Sequence, residues 1–195
     1  QDKAQVFPLE KLDFVRTRLT HSLEVSSIGK SLGMIIGLQL IPLTKGTDDE
    51  INFQMVEEIG NVLSCAGLIH DLGNPPFGHF GEVAIREWFA SKLKKNKDGS
   101  FYFKFEEYEF KLERQEALDL LNFEGNAQGL RILTKLHFVI DRYGMNLTTG
   151  VLNSIIKYPI SSLELGNKKF GGKKIGYFKA EENTFNYIVN STKIG

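Results

Sequence analysis

Between residues 13 and 40 the apolar positions Val15, Leu19, Leu23, Ile28, Leu32, Ile35 and Ile36 recur with the period of an amphipathic helix, and the spacing predicts one there. Gly29, Gly33 and Gly37 fall every four residues and share one face of it. Each glycine costs about 1 kcal/mol relative to alanine inside a helix, which close approach of a neighbouring helix would offset. The same spacing can mark membrane dimers, but Glu24 and Lys30 interrupt the apolar surface. Residues 42–50 read as a polar loop. A second helix is expected over 52–71. A third is expected over 81–95, with Val83, Ile85, Trp88, Phe89 and Leu93 as its buried stripe.

Aromatic residues at 101, 103 and 105 alternate, a strand signal; packing of a short strand or insertion fits them better than stacking on nucleic acid. Helical patterning returns over 114–121, 125–141 and 150–157, where Tyr158-Pro159 ends it. The glycine- and lysine-rich stretch 166–176 reads as a flexible basic loop. The plan is mainly α.

Composition adds limits. At 195 residues the chain can bury a substantial core. Its formal net charge of zero gives no bulk attraction to nucleic acid or membrane, although seven lysines against three glutamates follow from Lys157 onward. Lys92, Lys94, Lys95 and Lys97 read as a solvated helix end, where cations suit the helix dipole. The single cysteine, Cys65, rules out an intrachain disulfide, fits a reducing compartment and reads as a small buried residue. No signal peptide or membrane span is visible.

The chemistry concentrates around His70-Asp71. His21 lies upstream in a helical segment; His79 and Glu82 follow within a stretch broken by Gly73, Pro75, Pro76 and Gly78. Adjacent His and Asp diverge on a regular helix, but the last turn before a Gly/Pro stop can open so that both converge on one ion. Two ligands rarely hold a metal alone, and His21 is the natural third. Imidazole plus carboxylate suits Mn, Fe, Co, Ni or Zn better than Mg. Taken alone, a His-Asp dipeptide is more often a core histidine beside a cap. His79 and Glu82, three apart at a helix start, face the same way; the bland alternatives are a loop hydrogen bond and a favourable N-terminal charge.

Four motifs occur in order: residues 5–10 (Gln5 to Glu10), 15–25 around His21, 70–82 around His70-Asp71 and His79, and 122–131 around Asn126. Together they resemble the deoxyguanosinetriphosphate triphosphohydrolase family of the HD-domain phosphohydrolases, over nearly the whole chain. The resemblance implies an HD-domain helical bundle with at most a short strand or hairpin insertion. It implies hydrolysis of dGTP, or of dNTPs generally, to deoxynucleoside and tripolyphosphate. His21, His70 and Asp71 would hold a divalent metal (Mn, Mg, Co, Ni or Fe), and His79 and Glu82 would form the catalytic pair. Asn126, Lys157, Tyr158 and Lys174 would contact triphosphate and sugar, and Gln5 would read the deoxyribose 3′-hydroxyl. Arg131 has no assigned contact. Lys174 lies in the basic loop, where a solvated surface charge is an equal reading.

A cytoplasmic homo-oligomer, hexamers included, is expected, with single-stranded DNA as a further partner and no membrane association. Such enzymes carry a fourth metal ligand, an Asp, on a helix with no counterpart here. The chain therefore reads as the N-terminal part of one HD domain over 1–195, by itself inactive. A nucleotide- or DNA-binding HD module without turnover, or another HD-domain phosphohydrolase, is the alternative. Residues 88–115 depart from the family motifs.

Overall fold

In a computed structural model the chain divides into two compact units, residues 1–71 with 150–155 and residues 72–149 with 156–195. The structure describes residues 17–45, 53–137, 143–166 and 172–193. The first unit is built on two antiparallel helices, α1 (Arg18–Lys45) and α2 (Phe53–Ile69). The first residues of the polar loop expected over 42–50 are helical: α1 runs on to Lys45, through Pro42. A proline inside a helix costs roughly 3 kcal/mol, which a 28-residue helix packed along a neighbour can absorb. Residues 13–16 and 46–52 lie outside the described residues.

What packs α1 on α2 is glycine. A Cβ on Gly29 would meet the Leu63 carbonyl oxygen at 2.7 Å, one on Gly33 would meet Gly60 Cα at 2.8 Å, and one on Gly37 would meet Val56 Cα at 3.2 Å. Gly60 and Gly67 of α2 face α1 in the same way. Ser26 Oγ donates to the Ser64 carbonyl oxygen at 2.9 Å across the seam. The larger side chains with helical spacing, Leu19, Leu23, Ile28, Leu32, Ile35 and Ile36, lie on the exposed side. Branched side chains in the seam would hold two helices 8–10 Å apart; hydrogen atoms do not. Cys65, expected to be buried, is exposed, because the covered face of α2 is the one carrying Val56, Gly60 and Gly67.

Gly33→Ala tests this seam. Alanine favours the helix by about 1 kcal/mol, but its methyl would press on Gly60 Cα and the Ile59 carbonyl oxygen, both backbone, and overpacking costs about 1–3 kcal/mol. The expected result is a melting temperature lower by a few degrees. A higher one would show that the helices separate freely.

The second unit starts at Leu72. Its first helix, α3 (His79–Lys92), ends three residues before the expected Lys95, because Leu93 turns extended and β1 (Leu93–Lys95) begins there. β1, β2 (Phe101–Phe105) and β3 (Tyr108–Leu112) form an antiparallel meander with Leu93 opposite Phe103 and Phe103 opposite Phe110. Trp88 and Phe89 of α3 pack on Phe103, and Trp88 also on Phe105. Val83 and Trp88, expected in a buried stripe, are exposed; the one buried residue of α3 is Glu82.

Helices α4 (Arg114–Leu121) and α5 (Gly125–Arg131) follow, the latter running into a π-helical turn, Ile132–Leu136. Glu116 accepts the Glu113 backbone N–H at 2.8 Å, closing the start of α4. Residues 138–142, the end of the expected 125–141 helix, lie outside the described residues. α6 (Thr149–Ile155), which belongs to the first unit from residue 150, buries Val151 and Leu152, whereas α7 (Glu182–Thr192) in the second unit buries Phe185 and Ile188. Ala127, Ile175 and Phe178 form a core cluster flanked by Phe123 and Leu165. The fold is mainly α, and the three-stranded meander is its β insertion among the described residues.

Candidate metal centre and acid–base pair

α2 stops at Ile69, and His70 and Asp71 occupy the opened turn that follows. His70 Nδ1 donates to the Gly67 carbonyl oxygen at 2.7 Å, which fixes the ring and leaves Nε2 with its lone pair outward. That Nε2 lies 3.3 Å from Asp71 Oδ1, and His21 Nε2, from the first turn of α1, lies 3.9 Å from Asp71 Oδ2. The imidazole rings meet edge-on, centroids 5.2 Å apart. All three ligand atoms fall within 4.8 Å of one another. Bonds of about 2.0–2.2 Å to a common ion separate its ligand atoms by roughly 3–4 Å. The donor set fits a divalent transition metal. A core histidine beside a cap does not describe these residues: His70 is exposed, and Asp71 follows a helix C-terminus, where a carboxylate opposes the dipole unless a cation is near.

In the second unit, Phe77 and Gly78 both adopt left-handed backbone, φ 66° and 55°. This rare conformation for Phe is held by the Gly78 N–H bond to the Pro75 carbonyl oxygen at 3.1 Å. Gly81 has no room for a side chain, because a methyl there would strike the Pro76 carbonyl. The turn delivers His79 to the first position of α3 with its side chain 82% exposed, while Glu82 below it is 3% exposed. His79 Nδ1 donates to Glu82 Oε2 at 2.9 Å, and the Gly125 N–H donates to Oε1 at 2.9 Å. Burial pushes the Glu82 pKa up, but the His79 hydrogen bond, the Gly125 N–H and the charges of His79 and Lys174 together hold it below the ordinary carboxylate range. An exposed imidazole steadied from behind by an ionised, buried carboxylate is an arrangement suited to proton transfer.

Around the N-terminus of α5 the sequence-predicted phosphate contacts gather. Asn126 Nδ2 and Lys174 Nζ both donate to Glu124 Oε1, at 2.7 and 3.2 Å. Lys157 and Lys174 each lie over the Tyr158 ring, 5.6 and 5.9 Å from its centroid. Gln5 lies outside the described residues. Arg131, which had no assigned contact, pairs with buried Glu181 at 3.6 Å. Two residues were missed. Arg86 donates through Nε to the Phe123 carbonyl oxygen at 2.7 Å and through Nη2 to Glu124 Oε2 at 3.3 Å, with Glu82 Oε2 at 3.7 Å. Glu124 is the second. Their only signals were position i+4 from Glu82 and membership of the 122–131 motif.

Comparison with known proteins agrees with the motifs at the level of the HD domain. The HD domain family model matches residues 18–146. A deoxyguanosinetriphosphate triphosphohydrolase-like protein of Listeria monocytogenes is 49% identical over 193 residues, 99% of this chain and 40% of its own length. A protein of the same description from Synechocystis is 40% identical over 98% of the chain, 41% of its own length. A deoxyguanosinetriphosphate triphosphohydrolase of Enterobacter is 36% identical over 93% of the chain, 38% of its own length. The chain thus spans about two fifths of the curated relatives it matches.

Proposed function

We propose, from the premise that this chain belongs to the HD domain family, that the protein is a phosphohydrolase cleaving dGTP, or deoxynucleoside triphosphates more widely, to deoxynucleoside and tripolyphosphate. The observation that carries the reading is the His79–Glu82 pair, an exposed imidazole on a buried carboxylate kept ionised. The names of the relatives supply the substrate class.

In this reading His21, His70 and Asp71 hold a divalent metal, Mn, Fe, Co, Ni or Mg. When bound it supplies Lewis-acid polarisation and neutralises charge on phosphate oxygens. Asn126, Lys157 and Lys174 donate to the oxygens of the polyphosphate, Tyr158 packs beside the sugar, and Gln5 reads the 3′-hydroxyl. A water oxygen bonds to the α-phosphorus, the bond from that phosphorus to O5′ breaks, and O5′ takes a proton. His79 accepts a proton from the attacking water and passes one to O5′, and Glu82 stabilises the imidazolium in between. The protein works in the cytoplasm as an oligomer. Among the described residues no helix is long and apolar enough to cross a membrane.

Product chromatography of a dGTP digest by the full-length protein tests the reaction. Deoxyguanosine and intact tripolyphosphate are expected. Orthophosphate as the first product would replace attack at the α-phosphorus with attack at the γ-phosphorus, and binding of dGTP without any product would leave a nucleotide-binding module.

A further inference from the structure

Glu124 is 1% exposed, yet it carries more polar contacts than its position requires. It sits at the N-cap of α5, where an acidic residue ordinarily caps its own helix, but its side chain caps nothing. Instead both oxygens take other side chains, two of them distant in sequence. Oε1 receives Asn126 Nδ2 and Lys174 Nζ; Oε2 receives Arg86 Nη2. Arg86 is itself held by the Phe123 carbonyl oxygen and stands 3.7 Å from Glu82, the buried member of the acid–base pair. A buried carboxylate is expensive unless paired and hydrogen-bonded, and here two cations and an amide converge on it.

We infer that Glu124 is a positioning residue for the polyphosphate end of the site, aiming Lys174 and Asn126, with Arg86 as the cation that ties this array to the His79–Glu82 pair. The inference rests on the reading given under Proposed function. An ammonium has three protons and an amide two. Glu124 takes one from each group, so each stays aimed while keeping a donor for an anion. Arg86 has a rigid fork and spans the two buried carboxylates, so a shift of Glu124 is felt at Glu82. Lysine on a flexible stem is otherwise a poorly directed charge, and misplacement of a catalytic contact by about 1 Å can cost on the order of a hundredfold in rate.

The test is a double-mutant cycle in the full-length, metal-loaded protein with dGTP. Glu124→Gln leaves the site with one more net positive charge, so ground-state attraction to triphosphate is kept. The expected result is a kcat at least tenfold lower with a KM that does not rise. With Lys174→Met already present, Glu124→Gln should cost at least threefold less than it does in the wild-type background, because one of the two groups it aims is gone. A kcat within twofold of wild type overturns the inference, as does a loss of the same size in the Lys174→Met background, which marks a purely structural role. Glu124→Asp withdraws the carboxylate by one methylene and should give an intermediate kcat. It decides the matter if Glu124→Gln does not fold, full activity again overturning the inference. Calorimetric titration with inorganic tripolyphosphate reads the same cycle without turnover. Lys174→Met should weaken binding at least tenfold in the wild-type background and less than threefold in the Glu124→Gln background. Equal losses overturn the inference even if dGTP proves not to be the substrate.

Discussion

His70→Ala in the full-length protein is expected to lower affinity for a divalent transition metal by at least about a hundredfold, and to abolish dGTP hydrolysis with it. Loss of partners one shell further out already costs about 10–100-fold in metal affinity, and a direct ligand carries more. His70 is held ready, since the Gly67 carbonyl fixes its tautomer. Its removal leaves only His21 and Asp71, 3.9 Å apart, of the donor cluster found among the described residues. The fold should survive, because a third of the His70 side chain faces solvent and the α1–α2 seam is made of glycines. Elemental analysis after dialysis, with circular dichroism as the check on folding, reads both parts. Undiminished metal in a folded His70→Ala protein would remove this residue from the ligand set.

The second large effect is at the acid–base pair. His79→Ala or Glu82→Ala is expected to lower kcat by about a hundredfold or more, the usual range for loss of a general acid or base, with metal content unchanged. Full turnover in either variant would dismiss the paired role, and loss of metal would mean that the ligand set is wrongly drawn. Glu82 adds a pH signature. Its folded pKa is depressed, so its ionised form contributes stability that is complete above the unfolded pKa and is lost as pH falls through the folded one. Glu82→Gln should therefore be less stable than wild type at neutral pH, and the gap should narrow on the acid side. Melting temperatures across pH 3–7 measure it; a gap that widens toward acid would mean that Glu82 is protonated in the folded protein.

Helix positions were largely legible because apolar spacing reports period. Which face is covered is another matter. Along α1 the leucines and isoleucines keep the period, but the glycines take the interface, and only the every-fourth-residue glycine pattern hinted at it. The end of α3 was misplaced because Leu93-Lys94-Lys95 contains no Gly or Pro stop. Pairing with β2, set by residues six to ten positions away, pulls it into a strand. His21, His70, Asp71, His79 and Glu82 stood out as residue types that need chemistry to explain them. Arg86 and Glu124 did not, since each reads locally as an ordinary surface charge. Their roles come from partners 38 and 50 residues distant, which no local pattern encodes.

The glycine seam reaches as far as the two histidines of the proposed metal centre. Gly67, whose carbonyl steadies His70, lies against Val25 and Ser26, about one turn along α1 from His21. The gap between the two imidazoles is thus gauged by how closely two backbones can touch. Small differences in ionic radius should then be read as helix separation. A substitution several turns down the seam, touching no ligand, could retune which divalent ion is preferred while leaving every donor atom in place.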